Sequence, residues 1–182
     1  MVEVEPTSLR MPWKSAVIVA VDLMGGFSKD GNIPWHYSED FLWFQHHTKG
    51  NICVMGRTTY DDINTKMGDR GADEVLPGRE CYVVTSRPLE RSNAVPIPSI
   101  ESMMRQRTAD NAHKTVFFIG GESIYKEAVP MVDEAYVTIV KDIVEADRFF
   151  PVDYVAEHFR TVTSHNALTF DGIFTILRRT TY

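Results

Sequence analysis

Short apolar runs alternate along the chain with stretches of helical pattern, and this alternation constrains the fold more strongly than any other feature of the sequence. The apolar runs are rich in β-branched residues and lie at residues 16–21, 51–56, 81–86, 115–120 and 134–140. Runs this short and this apolar are typical of parallel strands, which are buried on both faces. We therefore expect five buried strands.

Helical patterns separate most of these runs. They lie at residues 38–48, 58–66, 99–107 and 122–129. The first begins with Ser38, a candidate N-cap, and places Glu39 and Asp40 in the first turn, where negative charge favours the helix dipole. The last is closed by Pro130, which marks a helix end.

The C-terminal part of the chain has a different pattern. Residues 158–167 and 172–182 are rich in Thr, Phe and Ile and flank Asp171-Gly172, which predicts a closing β-hairpin. Strand, helix and strand in repetition predict an α/β fold, with a mainly parallel twisted sheet, an antiparallel C-terminal edge strand and helices on both faces. The length predicts a single domain over residues 15–182, preceded by an N-terminal extension at residues 1–14.

Composition excludes several classes of function. Lys and Arg number 19 against 25 for Asp and Glu, and the net charge of −6 argues against nucleic acid or an anionic membrane as the main partner. Cys53 and Cys81 lack the spacing of a metal site or a disulfide scaffold, so we expect buried thiols. No apolar stretch approaches the roughly 20 residues of a membrane span. The start of the chain lacks a hydrophobic signal segment, so we expect a soluble intracellular protein.

The loops that leave the predicted strands are the candidate ligand sites, because ligands of such sheets bind beyond the carboxyl ends of the strands. These loops begin near Asp22, Gly56, Ser86, Gly120 and Lys141. The first of them, residues 22–36, is long and contains several glycines. Long loops of this kind are often lids over a site, and the alternative is a plain mobile connection.

Asp40 is the acidic side chain best placed for a ligand. On a helix that begins near Ser38, Asp40 and Phe44 are four residues apart, at the border of the stripe that faces the sheet. One interpretation is a solvated partner of the helix dipole. The other is a semi-buried carboxylate that hydrogen-bonds a protonatable heterocycle, because a buried charge is costly without such a partner.

Three strand exits could hold phosphate groups. Residues 119–125 run from a strand through two glycines into a helix, whose N-terminus offers unpaired N–H groups. Residues 56–59 have the same form with Arg57, and residues 85–87 end in Arg87. Tight turns and solvated arginines are the alternatives at each exit. Two arginine-bearing exits together favour a pocket for one polyanion.

In this order and at this spacing, the motifs resemble those of dihydrofolate reductase. The matching segments are AVDLMGGFSKDGNIPWHYSEDFLWF at 20–44, VMGRTTY at 54–60, LPGRECYVVTSR at 76–87, FIGGESIY at 118–125, AYVTIV at 135–140 and ADRFFP at 146–151. The chain departs from the family pattern at Ile18, at Phe27-Ser28 and at Glu122, where a small alanine, an aliphatic residue followed by glycine, and a third glycine are common. The departures concern lid closure and inhibitor affinity more than the reaction.

The resemblance implies a substrate pocket around Asp40. This residue resembles the acid that hydrogen-bonds N3 and the 2-amino group of the pterin, and Thr138 resembles the threonine that hydrogen-bonds the acid. The other implied substrate-side residues are Phe41, Phe44 and Ile119 at the pterin, Ile63 in the p-aminobenzoyl channel, Arg79 at the glutamate α-carboxylate and Trp35 at the end of the lid.

The resemblance also implies a site for NADPH and no metal. Ser86 and Arg87 match the pocket of the adenosine 2′-phosphate, which favours NADPH over NADH. The other implied cofactor contacts are Ile18, Phe27, Gly56, Arg57, Thr58, Thr59, Thr85, Gly120, Gly121, Glu122, Ser123, Ile124 and Tyr125. Tyr125 is expected near the nicotinamide, and the implied catalytic set is Asp40, Trp35, Tyr125 and Thr138.

The implied function is NADPH-dependent reduction of 7,8-dihydrofolate to 5,6,7,8-tetrahydrofolate, by hydride transfer to C6 with protonation at N5, in support of one-carbon metabolism and thymidylate synthesis. The implied partners are dihydrofolate and antifolates such as methotrexate, and we expect a cytoplasmic monomer. Two rivals are a reductase of the same fold acting on a pyrimidine ribitol phosphate and a catalytically silent binding or structural protein. Asp40 and Arg79 argue against the first rival, and the intact glycine pair and phosphate positions argue against the second.

Overall fold

The computed structural model describes residues 11–68 and 73–180. Within this part of the chain, the strands are β1 (Ser15–Val21), β2 (Gly26–Ser28), β3 (Ile52–Gly56), β4 (Glu80–Val84), β5 (Ala94–Ile97), β6 (Val116–Phe118), β7 (Glu134–Val140), β8 (Arg148–Phe149), β9 (Phe159–Asn166) and β10 (Gly172–Arg179). The α-helices are α1 (Ser38–Thr48), α2 (Arg57–Gly68), α3 (Glu122–Ala128) and α4 (Val152–His158). Short 3₁₀ helices lie at Glu101–Gln106 and Val129–Met131.

Eight of these strands form one sheet in the order β5-β4-β3-β6-β1-β7-β10-β9, and β2 pairs with β8 in a separate ribbon. The first six strands in this order, from β5 at the edge to β7, are all parallel to one another. Strand β10 runs antiparallel to both β7 and β9. The predicted α/β fold with a mainly parallel sheet is confirmed. Both strands of the predicted hairpin form the antiparallel C-terminal edge.

Alternate residues of the central strands face two layers of helices. On β1, Ala16 and Ile18 pack in a cluster with Phe44 of α1, whereas Val17 and Val19 belong to a larger cluster that includes Ile124 of α3. Helices therefore cover both faces of the sheet, as a parallel sheet requires. The carboxyl ends of β1, β6 and β7 open towards α1 and α2.

Some elements differ from the sequence-based expectation. The helical pattern at residues 99–107 forms only the 3₁₀ helix Glu101–Gln106, and β5 and α4 were not expected. Strand β5 contains Pro96, which is tolerated there because β5 lies at the edge of the sheet. Ser38 is not the N-cap of α1: Tyr37 occupies that position, and no side chain of a described residue caps the helix.

The described part of the predicted extension packs against the sheet domain. Met11 and Trp13 are buried in the main core cluster, and Trp13 Nε1 donates to the carbonyl oxygen of Asn111 at 3.2 Å. Residues 1–10 of the extension and residues 181–182 of the hairpin lie outside the described residues. Residues 69–72 lie outside them as well. The boundary between residues 14 and 15 stays a prediction.

Cys53 and Cys81 are both free and buried, in agreement with the sequence. They lie side by side on paired strands β3 and β4. Burial raises the pKa of both thiols, so both are protonated at neutral pH. A search of the described helices for one long and apolar enough to cross a bilayer finds none.

Candidate active site

A cavity of about 280 Å³ lies beyond the carboxyl ends of the central strands, between α1 and α2. The residues that line it and were expected from the sequence are Ile18, Phe27, Asp40, Phe41, Phe44, Thr58, Thr59, Ile63, Ile119, Gly120, Gly121, Tyr125 and Thr138. They come from six separate segments of the chain. The structure thus brings the expected lid, acid and glycine pair to one place.

Asp40 and Thr138 meet in this cavity. Thr138 Oγ1 on β7 donates to Asp40 Oδ1 on α1 at 2.7 Å. Burial raises the pKa of the Asp40 carboxyl above its ordinary value, and the hydrogen bond from Thr138 acts in the opposite direction. Among the described residues, no hydrogen bond reaches Oδ2. This oxygen can therefore accept from the N–H groups of a bound heterocycle.

Tyr125 forms a wall of the cavity. Its hydroxyl proton is shared between the carbonyl oxygens of Ile18 and Ile119, at 2.9 and 2.8 Å. Burial, and then the nearby charge of Asp40, raise the pKa of this phenol far above its ordinary value. The hydroxyl is therefore fixed in its neutral form, with its proton engaged by the backbone. The ring packs edge-on against Phe27 of the lid, with centroids 5.3 Å apart.

The glycine pair brings bare backbone to the cavity. The peptide bond between Gly120 and Gly121 is cis, and Gly120 has a φ of +117°. A Cβ at Gly120 would lie 3.2 Å from the Tyr125 ring, and one at Gly121 would lie 3.7 Å from Thr59 Oγ1. The Gly56 N–H donates to the Gly120 carbonyl oxygen at 2.8 Å, which ties the β3 exit to the glycine pair.

The two arginines expected at a phosphate share one carboxylate. Arg57 Nε donates to Asp61 Oδ1 at 2.8 Å, and Arg87 Nη2 lies 3.7 Å from Asp61 Oδ2. Arg57 Nη1 also donates to the Pro88 carbonyl oxygen at 3.0 Å. The exits of β3 and β4 therefore converge, as expected. Asp61 offsets part of the positive charge of the two arginines.

Other expected residues lie outside the cavity wall. These are Trp35, Gly56, Arg57, Arg79, Thr85, Ser86, Arg87, Glu122, Ser123 and Ile124. Trp35 is buried, and its indole N–H has no hydrogen-bond partner in the part of the chain that the structure describes. Glu122, at the start of α3, accepts from the Phe149 N–H at 3.0 Å and so fastens β8 to the helix.

Arg79 is buried beside the cavity, under α1. Its Nε donates to Thr48 Oγ1 at 3.1 Å and its Nη1 donates to the Pro77 carbonyl oxygen at 2.7 Å. The guanidinium carbon is 6.0 Å from the centroid of the Phe44 ring. Among the described residues, no hydrogen bond engages Nη2. The guanidinium is held in place with one nitrogen left for an anion.

The loop at residues 22–36 closes over one side of the cavity and is fastened at two points. Buried Asp22 accepts through Oδ1 from the Gly26 N–H at 2.8 Å and through Oδ2 from the Val144 N–H at 3.1 Å. Asp147 Oδ2 accepts from the Asp30 N–H at 2.8 Å, near the ribbon of β2 and β8. This arrangement supports the interpretation of the loop as a lid.

Sequence reasoning missed ten further residues of the wall: Val19, Ala20, Ser28, Gly31, Asn32, Ile33, Trp43, Asp62, Lys66 and Arg148. Helical spacing could have found Trp43, which follows Asp40 by three residues, and Lys66, which follows Ile63 by three. Arg148 gave no such signal, because it reaches the wall only through the pairing of β8 with the lid strand β2.

Comparison with known proteins assigns the family. The family model for dihydrofolate reductase matches residues 14–171. Dihydrofolate reductase of Haemophilus influenzae is 30% identical over 137 residues, covering 75% of this chain and 78% of the relative, and that of Bacillus subtilis is 29% identical over 148 residues, covering 81% and 80%. A solved dihydrofolate reductase from Enterococcus faecalis, complexed with NADP(H) and RAB-propyl, superposes with a TM-score of 0.75 at 27% identity, over 93% of this chain and 98% of that one. The chain therefore belongs to the dihydrofolate reductase family.

Proposed function

We propose that the cavity holds the pterin of dihydrofolate against Asp40, with the nicotinamide of NADPH beside the glycine pair. As a member of its family, the enzyme reduces 7,8-dihydrofolate to 5,6,7,8-tetrahydrofolate with NADPH. The observation that carries the residue assignment is the hydrogen bond between Thr138 and Asp40, which leaves one oxygen of a half-buried carboxylate open to the cavity. A buried anion with a free acceptor is matched by a ring that offers two N–H donors.

On the substrate side, Asp40 Oδ2 accepts from N3 and the 2-amino group of the pterin. Phe44 packs on the ring, and Ile63 borders the path of the p-aminobenzoyl group. The free Nη2 of Arg79 binds the α-carboxylate of the glutamate. The remaining wall on this side comes from Phe41 and Ile119.

The cofactor side of the cavity fits a dinucleotide because the Gly120-Gly121 backbone there carries no side chains. A side chain at Gly120 would meet Tyr125, so only glycine leaves this surface open. Thr58 and Thr59 at the start of α2 line the same cavity and would hold phosphate. The converging Arg57 and Arg87 would hold the 2′-phosphate, together with Thr85 and Ser86. Ser123 and Ile124 lie in the first turn of α3, on the pyrophosphate side.

When bound, NADPH supplies a hydride to C6 of dihydrofolate. The residues of this chain orient the two ligands, and such alignment can supply roughly 7–11 kcal/mol of the barrier. Asp40 anchors the pterin, and its negative field favours protonation of N5 by a water. Trp35 stays at the lid end, and the lid excludes bulk water during transfer.

The test is loss of NADPH absorbance on adding dihydrofolate, with and without methotrexate. Asp40→Asn is expected to keep NADPH binding and to lose most turnover at neutral pH, because Asn lacks the charge that holds the ring. NADPH affinity is measured by fluorescence titration in the same samples. Full turnover in Asp40→Asn would contradict the assignment of Asp40. No turnover in the wild-type enzyme would favour the silent binding protein.

We further propose that the enzyme is a cytoplasmic monomer that also binds antifolates such as methotrexate. The free, buried thiols support a reducing compartment. The net charge of −6 supports a small-molecule partner over nucleic acid or an anionic membrane. Light scattering at assay concentrations checks the monomer, since a dimer would double the mass.

A further inference from the structure

The turn between β9 and β10 is fastened to the first turn of α1 by a single carboxylate. Glu39 Oε1 and Oε2 each lie 2.9 Å from the Leu168 N–H, and Oε2 also accepts from the Thr169 N–H at 2.8 Å and Thr169 Oγ1 at 2.7 Å. Next to these bonds, the rings of Tyr37 and Phe170 stack with centroids 4.3 Å apart. We call this set of contacts the Glu39 clamp.

Among the described residues, the clamp and the hydrogen bond from Thr138 to Asp40 are the only side-chain hydrogen bonds that hold the first turn of helix α1. The N-cap position, Tyr37, makes no capping hydrogen bond. An uncapped first turn leaves its backbone donors without partners and frays readily. Asp40 lies in that turn, directly after Glu39.

The clamp also closes a ring of contacts around the active-site acid. Thr138, which hydrogen-bonds Asp40, lies on β7, and its partner across the ladder with β10 is Phe174. Strand β10 in turn begins just after the turn that binds Glu39. Helix α1, which carries Asp40, and strand β7, which carries Thr138, are thus joined twice. One connection is the hydrogen bond in the cavity, and the other runs through the β9–β10 hairpin.

We propose that Glu39 is a positioning residue, which holds the first turn of α1 on the β9–β10 turn and so fixes the Asp40 carboxylate relative to Thr138 and the bound pterin. The hydrogen bond from the Leu168 N–H, followed by that from Thr169 Oγ1, lowers the pKa of Glu39. The clamp is therefore charged at neutral pH, where the enzyme works. This inference rests on the proposed role of Asp40.

The experiment measures hydride transfer in single turnover for Glu39→Ala and Glu39→Gln. Glu39→Ala removes every acceptor of the clamp and is expected to slow transfer about tenfold, since misplacement of about 1 Å costs up to a hundredfold. Glu39→Gln keeps one acceptor oxygen and is expected to lose about threefold. NADPH affinity stays at the wild-type value in both variants, because the cofactor side does not touch the clamp.

Asp171→Asn is the matched control. It removes an ion pair with Lys141, with Nζ to Oδ1 at 3.5 Å, from the same turn without touching α1. The control is expected to transfer hydride at the wild-type rate. Thr169→Val removes only the hydroxyl of the clamp and serves as a milder variant if Glu39→Ala does not fold.

The decisive readout is the effect of Glu39→Gln and Thr169→Val in an Asp40→Asn background. If Glu39 acts through Asp40, neither substitution slows the residual transfer further, whereas a general loss of structure would slow it by the same factor as in the wild type. Equal factors in both backgrounds, or wild-type rates in all Glu39 variants, would overturn the inference. Failure of the proposed function is distinguished by Asp40→Asn alone, which would then keep full turnover.

Discussion

At the scale of single residues, two opposing effects determine the pKa of Asp40, the proposed acid of the active site. Burial raises the pKa of Asp40, while the hydroxyl of Thr138 stabilises the charged form and limits the rise. Among the described residues, Asp40 has no cationic partner, so the hydroxyl of Thr138 is the side-chain group that offsets the effect of burial. In the proposed function, the pterin supplies the hydrogen-bond donors that Oδ2 of Asp40 lacks.

Thr138→Val tests this balance. Removing the hydroxyl leaves burial unopposed, so the pKa of Asp40 is expected to rise further above its ordinary value. Carboxyl-carbon NMR of the ligand-free enzyme measures the titration, and Asp40→Asn assigns the resonance. A pKa equal to that of the wild type, or below it, would show that the 2.7 Å bond does not stabilise the carboxylate.

Arg79→Lys tests the anion site under α1. The guanidinium uses Nε and Nη1 to hold Thr48 and Pro77 and keeps Nη2 for a carboxylate, whereas lysine has a single nitrogen. The KM for dihydrofolate is expected to rise by about 10- to 100-fold, the loss of a charge-assisted bond of roughly 1.5–3 kcal/mol. Dihydropteroate, which lacks the glutamate, is the matched substrate. Its KM should not change, and an equal rise for both substrates would contradict the assignment.

At the scale of elements, the periodicity of the sequence predicted those helices and strands that depend on local pattern. The bounds of α1 agree with residues 38–48, and the five expected strands correspond to β1, β3, β4, β6 and β7. Helix α4 and strand β5 are short and have weak patterns, so tertiary packing rather than propensity decides them. The same holds for the site: Asp40 was visible on a helix face, but Arg148 reaches the cavity only through a ribbon of distant segments.

The lid is the element whose packing can be tested most directly. A Cβ at Gly26 would lie 2.3 Å from the Cβ of Ala146, so Gly26→Ala must push the lid strand away from the β7–β8 connection. Hydride transfer is expected to slow at least about tenfold, because the lid lines the cavity. The double variant Gly26→Ala with Ala146→Gly removes the clash and is expected to recover most of the rate. Stopped-flow measurement gives the rate of hydride transfer in both variants. If the double variant does not recover the rate, another contact holds the lid.

At the scale of the whole molecule, His47, a half-buried histidine of helix α1, makes the stability of the fold depend on pH. His47 lies on α1 against Trp43 and Tyr136, with ring centroids 4.2 and 4.8 Å away. Its Nε2 has no hydrogen-bond partner within residues 11–68 and 73–180. Burial, followed by the charge of His46, lowers the pKa of His47 to about 4, and Glu134 acts in the opposite direction. Glu134 is already paired with Lys14 and Arg178, so it does little to stabilise a protonated His47.

The lowered pKa predicts acid sensitivity of the fold. Between pH 6.5 and about 4, His47 is protonated in the unfolded chain but not in the folded chain. The free energy of unfolding therefore falls as the pH falls through this window. Because His47 is only half-buried, solvent screening limits this loss, which is expected to be on the order of 1 kcal/mol below pH 4. Urea unfolding at pH 7.5 and 4.5 measures it in the wild type and in His47→Phe, which keeps an aromatic ring and cannot titrate. Substitution of an exposed histidine, His113→Gln, controls for the loss of a histidine as such.

His47→Phe is expected to lose less stability on acidification than the wild type, because its folded and unfolded states no longer differ in protons bound at residue 47. An equal loss in both proteins would place the acid sensitivity among the carboxylates instead.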